Sequence, residues 1–388
     1  METRTPVEGP TAPTSQGAPS SGSIATLTLG VEEEFLIVDA ATWRPAPVAS
    51  EVLSAAGGTG PRIQGEATRY QVELASPVAA TADELRAALV SLRTVLAGAA
   101  RELGCRLVAS PVPVLNPSGP TKFRTDLARH LAIQGRFGEL AQTLTACGQH
   151  VHVGSLDIGR AVAVANRLRP WVPTLIALGA NSPYAGGRDT GHASWRTVSW
   201  SGWPSAGTTP YFETVSDYER AVRHLIAAGA ALDPHMVYWD LRPSRKWPTL
   251  EVRAPDVMPD VDHAVLLAVL SRALVTTALW ADREGLPVPP VSDEFLRLAR
   301  WRAAHDGLEG AGLDPFTGDE LPAAGLVQGL LKSVEPALSL SGDLDFASQA
   351  IDGMLRDGSW AARQRKVFAR RGELTDVIRF LADETERA

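Results

Sequence analysis

Residues 30–35 read Gly30-Val31-Glu32-Glu33-Glu34-Phe35, three consecutive carboxylates inside a stretch, Ile24 to Val38, whose apolar residues otherwise mark a buried β-strand. Side chains alternate across a strand, so Glu32 and Glu34 share one face and Glu33 points to the other. Two carboxylates about 5–7 Å apart on a half-buried face repel by roughly 2–4 kcal/mol at an effective dielectric of ~20, before desolvation is counted. Something positive should sit between them, and a divalent cation is the simplest candidate.

The same arrangement recurs along the chain. Polar groups stand at i and i+2 in His150/His152, Asp240/Arg242 and Glu251/Arg253, each on an expected strand, and Glu73 lies in Gln71-Val-Glu-Leu-Ala-Ser-Pro77. Any one pair is most simply a strand face turned to water. Solvated faces usually carry Lys, Thr and Ser, however, whereas this set is almost purely Glu, His and Arg. A polar cavity lined by one sheet face accounts for it better.

Strand signals fall at about 24–38, 62–75, 105–112, 143–155, 235–243 and 248–254, with alternation that suits an antiparallel or mixed sheet. Helical periodicity spans 81–103, opened by a Thr81-Ala-Asp-Glu84 capping box, and recurs at about 122–142, 157–178, 214–229 and 260–284. After that the chain reads as wholly helical, at 292–305, 323–333, 344–356, 359–371 and 373–386. The class is α+β: a sheet-rich body over 24–284 and a helical part over 285–388, together one domain over 24–388. Residues 181–211 show little periodicity but much Trp, Arg and Gly, and are expected to form an ordered binding loop that folds over the mouth of the site.

Composition narrows the function. A net charge of −7 over 388 residues argues against nucleic-acid binding through bulk electrostatics. No apolar run reaches the ~18 residues that span a membrane. Cys105 and Cys147 lack metal-ligand spacing and read as two buried thiols in a reducing compartment. The first 23 residues, rich in Pro, Thr, Ser and Gly, lack the basic start and apolar core of a signal peptide; a disordered tail and a cytoplasmic protein are expected.

Several Glu and one His, without Cys or an Asp-rich loop, suit Mg²⁺ or Mn²⁺. Interleaved arginines suit phosphates and carboxylates, which they grip with two prongs. Metal, arginine and carboxylate together are the equipment of phosphoryl transfer, yet neither a P-loop nor a kinase signature occurs. A nucleotide would therefore be held through metal and arginine on a sheet. A rival reading gives His150 and His152 to zinc in a metallohydrolase, but His130, His192, His224, His235, His263 and His305 show no ligand-like motif.

Gly30-Val-Glu-Glu-Glu-Phe35, Gln71-Val-Glu73, Cys147-Gly-Gln-His-Val-His-Val-Gly154, the Ser182-Pro…Arg196 loop and Trp239-Asp-Leu-Arg-Pro-Ser244…Leu250-Glu-Val-Arg253 together resemble the type 2 glutamate–cysteine ligase, or carboxylate–amine ligase, family. The helical end with Gly358-Ser-Trp-Ala-Ala-Arg-Gln364 also fits. The resemblance implies a glutamine synthetase-like fold, in which a curved, mainly antiparallel sheet backed by helices forms a funnel for metal ions, ATP and substrates. It implies an ATP-dependent, ADP-forming ligase that makes a carbon–nitrogen bond through an acyl phosphate. Its substrates would be a small carboxylate and an amine, glutamate and cysteine being the family pair. The alternatives are another acid and amine in specialised metabolism, or a metal-dependent amide hydrolase; a homo-oligomer is compatible with either. By matched motif, Glu32, Glu34, Glu73, His150 and Glu251, with Glu66 a weaker candidate, look like ligands of metal or metal-bound phosphate. Arg253 resembles the cation facing the γ-phosphoryl group, Arg196 the one gripping the substrate acid. His152 and Arg242 are candidates for nucleotide contact, Arg242 being equally able to lock to Asp240 or a neighbouring acid.

Overall fold

The computed structural model describes residues 27–387 apart from 59, 61 and 125–127, so the expected N-terminal tail lies outside the described residues. Its centre is the long strand β1 (Leu29–Asp39). The odd positions Leu29, Val31, Phe35 and Ile37 are buried in the main core, and the even positions Glu32 and Glu34 face the other way. Around it lie β2 (Ile63–Gly65), β3 (Gln71–Ala75), β4 (Cys105–Val108), β5 (Gln149–Gly154), β6 (Leu241–Pro243) and β7 (Thr249–Val252). They form one seven-stranded sheet of order β6-β7-β5-β1-β3-β2, with β4 pairing the far end of β1, and every pair is antiparallel.

The register stacks the chemically interesting residues in rows. Glu32 is opposite His150, Glu34 opposite Glu73, Gln64 opposite Glu73, His152 opposite Glu251, and Glu251 opposite Arg242. A shift of one residue in any strand would turn its members into the core, so the apolar alternation on the back of the sheet enforces the polar constellation on the front.

Helices cover the back. Thr81 caps α1 (Ala82–Glu102) by accepting from the Glu84 N–H at 3.2 Å, while the Glu84 side chain reaches one residue beyond the expected partner, to the Ala80 N–H at 2.8 Å. Beyond α2 (Ile158–Leu168), α3 (Val261–Arg283) is long and apolar enough to cross a membrane, but 78% of its apolar window is buried here. Its one central charge, Arg272, is paired inside the core, its Nη atoms donating to Asp343 at 2.6 Å and to the Ala80 carbonyl at 2.6 Å. One hydrophobic cluster runs from Leu27 through α3 to Trp360, joining the sheet to the C-terminal helices.

Those helices, α4 (Asp293–Asp306), α5 (Ala323–Ser341), α6 (Leu344–Asp357), α7 (Trp360–Arg371) and α8 (Leu374–Thr385), match the expected pattern with two corrections. A hairpin, Ala311–Leu313 with Glu320–Pro322, interrupts the region read as wholly helical. Helix α5 also continues past residue 333 and through Pro336 to a left-handed Gly342, because Val334, Ala337 and Leu338 still bury an apolar face. Both cysteines are buried free thiols.

The segment 181–211 is ordered, as expected, and carries more local structure than its lack of periodicity announces. It carries a short hairpin (Tyr184–Ala185 with Arg188–Asp189), a capped helical turn at Trp195–Trp200 and a bridge from Ala206–Gly207 to Tyr238–Trp239. Trp203, 1% exposed, packs with Ile133 and Met236, and the Phe137 ring lies tilted against it at 5.0 Å between centroids. Periodicity was absent because long-range packing, and not local pattern, orders this segment.

Candidate active site

The polar face of the sheet opens into a cavity of about 390 Å³. Glu32, Glu34, Glu66, Glu73, His150, Arg196, Arg242 and Arg253 all line it. His152 and Glu251 lie at its edge: ligand atoms of Glu32, His152 and Glu251 fall within 4.8 Å of one another. Ten candidate site residues are thus brought together, seven from five strands and three, Glu66, Arg196 and Arg253, from segments beside them.

Two electrostatic districts share this space. The first centres on Glu32. Its oxygens lie 3.4 Å from His150 Nδ1 and 3.5 Å from His152 Nε2. Burial would raise its carboxyl, but the two imidazoles outweigh that and hold it well below the usual range. Glu251, 1% exposed, is gripped by two guanidiniums: Arg242 donates to Oε2 at 2.8 and 2.7 Å, and Arg253 donates to Oε1. Against the cost of burial, Arg253 and then Arg242 hold Glu251 down to about 2. Burial, then Arg253, pushes His150 down to about 4, so its imidazole is neutral at ordinary pH. His152 shares a hydrogen bond with Thr249 Oγ1 at 2.9 Å.

The second district is acid against acid. Glu34 lies half-buried beside Glu66 and opposite Glu73; its desolvation and then the Glu66 charge push it up to about 8, despite Arg196 and a hydrogen bond from the Gly148 N–H at 2.7 Å. Burial, Glu66, Glu32 and Glu34 together raise Glu73 well above its ordinary value, with Gln64 Nε2 donating to it at 2.7 Å. Carboxylates raised by burial and by each other bind a proton or a cation. The hard-oxygen donor set of Glu34, Glu66 and Glu73, with imidazole nearby, fits Mg²⁺ or Mn²⁺.

Sequence and structure part company at Asp240. The chain leaves the strand between Trp239 and Leu241, and Asp240 turns away to a buried pair with Arg300 at 2.8 Å. Asp240 and Arg242 therefore do not act together, and Arg242 is locked to Glu251 instead. Arg196 and Trp200 reach the cavity from the 181–211 segment as part of its wall; Arg188 is exposed and Trp203 is core. The segment is built into the wall and is not a flap over the mouth.

Other lining residues were missed: Gln64, Ala67, Arg129, His130, Ile133, Ala146, His235 and Tyr238. Tyr238 had a signal, since it shares parity with Arg242. Arg129 had none: it sits on a short helix (Ala128–Phe137) whose approach depends on packing, and it pairs with Asp233 at 2.9 Å.

The profile of the Glutamate-cysteine ligase family 2 matches residues 28–380. A Salinispora arenicola protein named "Putative glutamate--cysteine ligase 2" is 44% identical over 367 residues, covering 94% of this chain and 97% of that one. A Mycolicibacterium smegmatis protein named "Putative glutamate--cysteine ligase 2-3" is 43% identical over 360 residues, covering 92% and 98%. Two solved structures share the architecture. A glutamate–cysteine ligase from Francisella tularensis in complex with AMP has a TM-score of 0.67 at 14% identity, covering 94% of this chain and 89% of that one. A bifunctional glutathione synthetase from Pasteurella multocida has a TM-score of 0.67 at 15% identity, covering 93% and 52%. The fold is the glutamine synthetase-like one.

Proposed function

The chain belongs to the Glutamate-cysteine ligase family 2, and from that premise we propose that its cavity joins a small carboxylate to an amine at the expense of ATP, through an acyl phosphate, releasing ADP and phosphate. The enzyme is a glutamate–cysteine ligase-like, amide-forming ligase. The observation that carries the finer reading is the pairing of the two districts: raised carboxylates at Glu34 and Glu73 beside arginines at 196, 242 and 253 in one cavity.

Condensing a carboxylate with an amine in water is uphill, so the acid needs a better leaving group, and phosphate from ATP supplies one. Mg²⁺ or Mn²⁺ held by Glu34, Glu66 and Glu73, with Glu32 and His150 beside them, would neutralise phosphate oxygens. In this reading Arg253, fixed by Glu251, meets the charge that develops on the transferring phosphoryl group. Arg242, fixed by the same carboxylate, contacts the nucleotide phosphates, and His152 lies beside them. Arg196, 7% exposed and lining the cavity, faces the substrate acid. The neutral His150 accepts or donates hydrogen bonds without adding charge. Residues 24–388 act as one catalytic unit.

The test is a panel of acids and amines, glutamate and cysteine included, incubated with ATP and Mg²⁺ while ADP, phosphate and product mass are followed. ADP and phosphate in equal amounts, released only when acid and amine are both present, are expected. AMP with pyrophosphate would exclude the acyl phosphate, and amide cleavage without ATP would exclude the ligase in favour of a hydrolase.

A further inference from the structure

Asp256 follows β7 and faces Gly148 across an isolated antiparallel bridge, its side chain wholly buried and outside the cavity lining. Its carboxylate gathers the start of the 181–211 segment. Oδ2 accepts from the Asn181 N–H at 3.0 Å and the Ser182 hydroxyl at 2.8 Å; Oδ1 accepts from the Ser194 hydroxyl at 3.1 Å and lies 3.8 Å from Arg196 Nη1. Ser182 Oγ in turn accepts from the Arg196 backbone N–H at 3.0 Å. Asn181 is itself clamped, its Nδ2 donating to the Val257 and Ala109 carbonyls at 2.8 and 3.0 Å. Gln364 of α7, 1% exposed, closes the chain: its Nε2 donates to Asn181 O at 2.8 Å and Oδ1 at 2.7 Å.

The far end of this network has little slack. The Arg196 guanidinium donates to the Ala254 and Pro255 carbonyls at 3.3 and 3.2 Å and lies over Gly148, where a Cβ would stand 2.1 Å from Nη2. Arg196 is therefore held from below by Gly148, from one side by backbone carbonyls and from behind by Asp256. An α7 residue outside the cavity lining is thus two hydrogen bonds and one ion pair from a residue that lines it.

We propose that Gln364, Asn181 and Asp256 are positioning residues that fix where Arg196 presents its guanidinium, and thereby set the enzyme's affinity for the anionic substrate Arg196 faces. The substrate half rests on the ligase reading above; the positioning half does not. Mere cement for the 181–211 segment would affect stability and all substrates alike, whereas a positioning network affects one substrate selectively.

The experiment uses Gln364→Met, which keeps length and volume but removes both donors, with Asp256→Asn as a second variant at the hub. The Arg196 Nε–H resonance, identified in the full-length protein by its loss in Arg196→Lys, should shift and exchange with solvent faster in Gln364→Met without any substrate. In turnover assays KM for the acid should rise about tenfold or more, with KM for ATP within about twofold and the melting temperature nearly kept. An unmoved resonance overturns the proposal. So does a moved resonance with acid and ATP KM unchanged or raised equally. Should the wild-type protein form no amide with any pair, the ligase reading falls. The proposal is then decided by titrating acetate against the Arg196 resonance, where weaker binding in Gln364→Met supports it and equal binding overturns it.

Discussion

Glu33 and Glu34 are neighbours in one strand, yet they live in opposite worlds. On the back of β1, Glu33 is wholly buried and receives both prongs of Arg93, at 2.9 and 2.5 Å, while Arg93 also donates to the Met258 and Pro259 carbonyls. Every oxygen and nitrogen has a partner from the protein. On the front, Glu34 meets Glu66 and Glu73 and is pushed up to about 8 by burial and repulsion. The same side chain, one residue apart, is structural where its charge is matched and chemically available where it is not.

The largest effect should come from breaking the matched side. Arg93→Ala leaves Glu33 charged and unpaired at zero exposure, and should cost about 3–5 kcal/mol in a denaturant melt. Replacing both partners by Leu should recover most of that loss, since the pair's desolvation cost vanishes with it. If Arg93→Ala kept stability and lost turnover instead, the back of the strand would belong to the site and the contrast would collapse.

Next comes the unmatched side. Glu34→Gln and Glu73→Gln remove a charge at nearly constant shape, so turnover at saturating Mg²⁺ should fall at least ~100-fold, about 2.7 kcal/mol of transition-state stabilisation. Thermal stability without metal should hold or rise, because a like charge has gone. Near-normal turnover in Glu34→Gln would remove the argument for a cation cage.

A smaller kinetic effect, set against a plain stability loss next to it, separates Trp200 from Trp203 in one short segment. Trp200→Ala opens the cavity wall and should change substrate KM by several-fold with a modest stability loss. Trp203→Ala empties a core position and should cost about 3–5 kcal/mol with substrate preference kept. Equal kinetic profiles in the two would show that the wall does not read the substrate.

Much of this was legible because strand alternation is a strict code. A period of two placed Glu32, Glu34, His150, His152, Glu251 and Arg253 on one face, and antiparallel pairing could only bring such faces together. The segments without a period were opaque. Asp240 has the parity of a site residue and turns away because the strand breaks beside it. Trp200 lines the cavity and Trp203 is core, a split that no local pattern announces, and Arg129 enters from a helix whose orientation no local pattern encodes. Glu33 was readable as inward-facing, but its partner Arg93 lies sixty residues away on α1.

The finest distinction is a titration. The ordinary value for Glu34 is 4.5 and in the fold it is about 8, so between those pH values the folded protein holds a proton the unfolded chain has released. The fold is thus favoured by this group below pH ~4.5, and that advantage is lost as pH rises towards 8. Without metal, the melting temperature should drift down by a few degrees across that window, and Glu34→Gln should flatten the drift. Mg²⁺ competes for the same oxygens, so its affinity should climb with pH and its binding should release protons, measurable by calorimetry in buffers of different ionisation enthalpy. A drift that survives Glu34→Gln unchanged would place the titrating group elsewhere and erase the difference between the two faces of the strand.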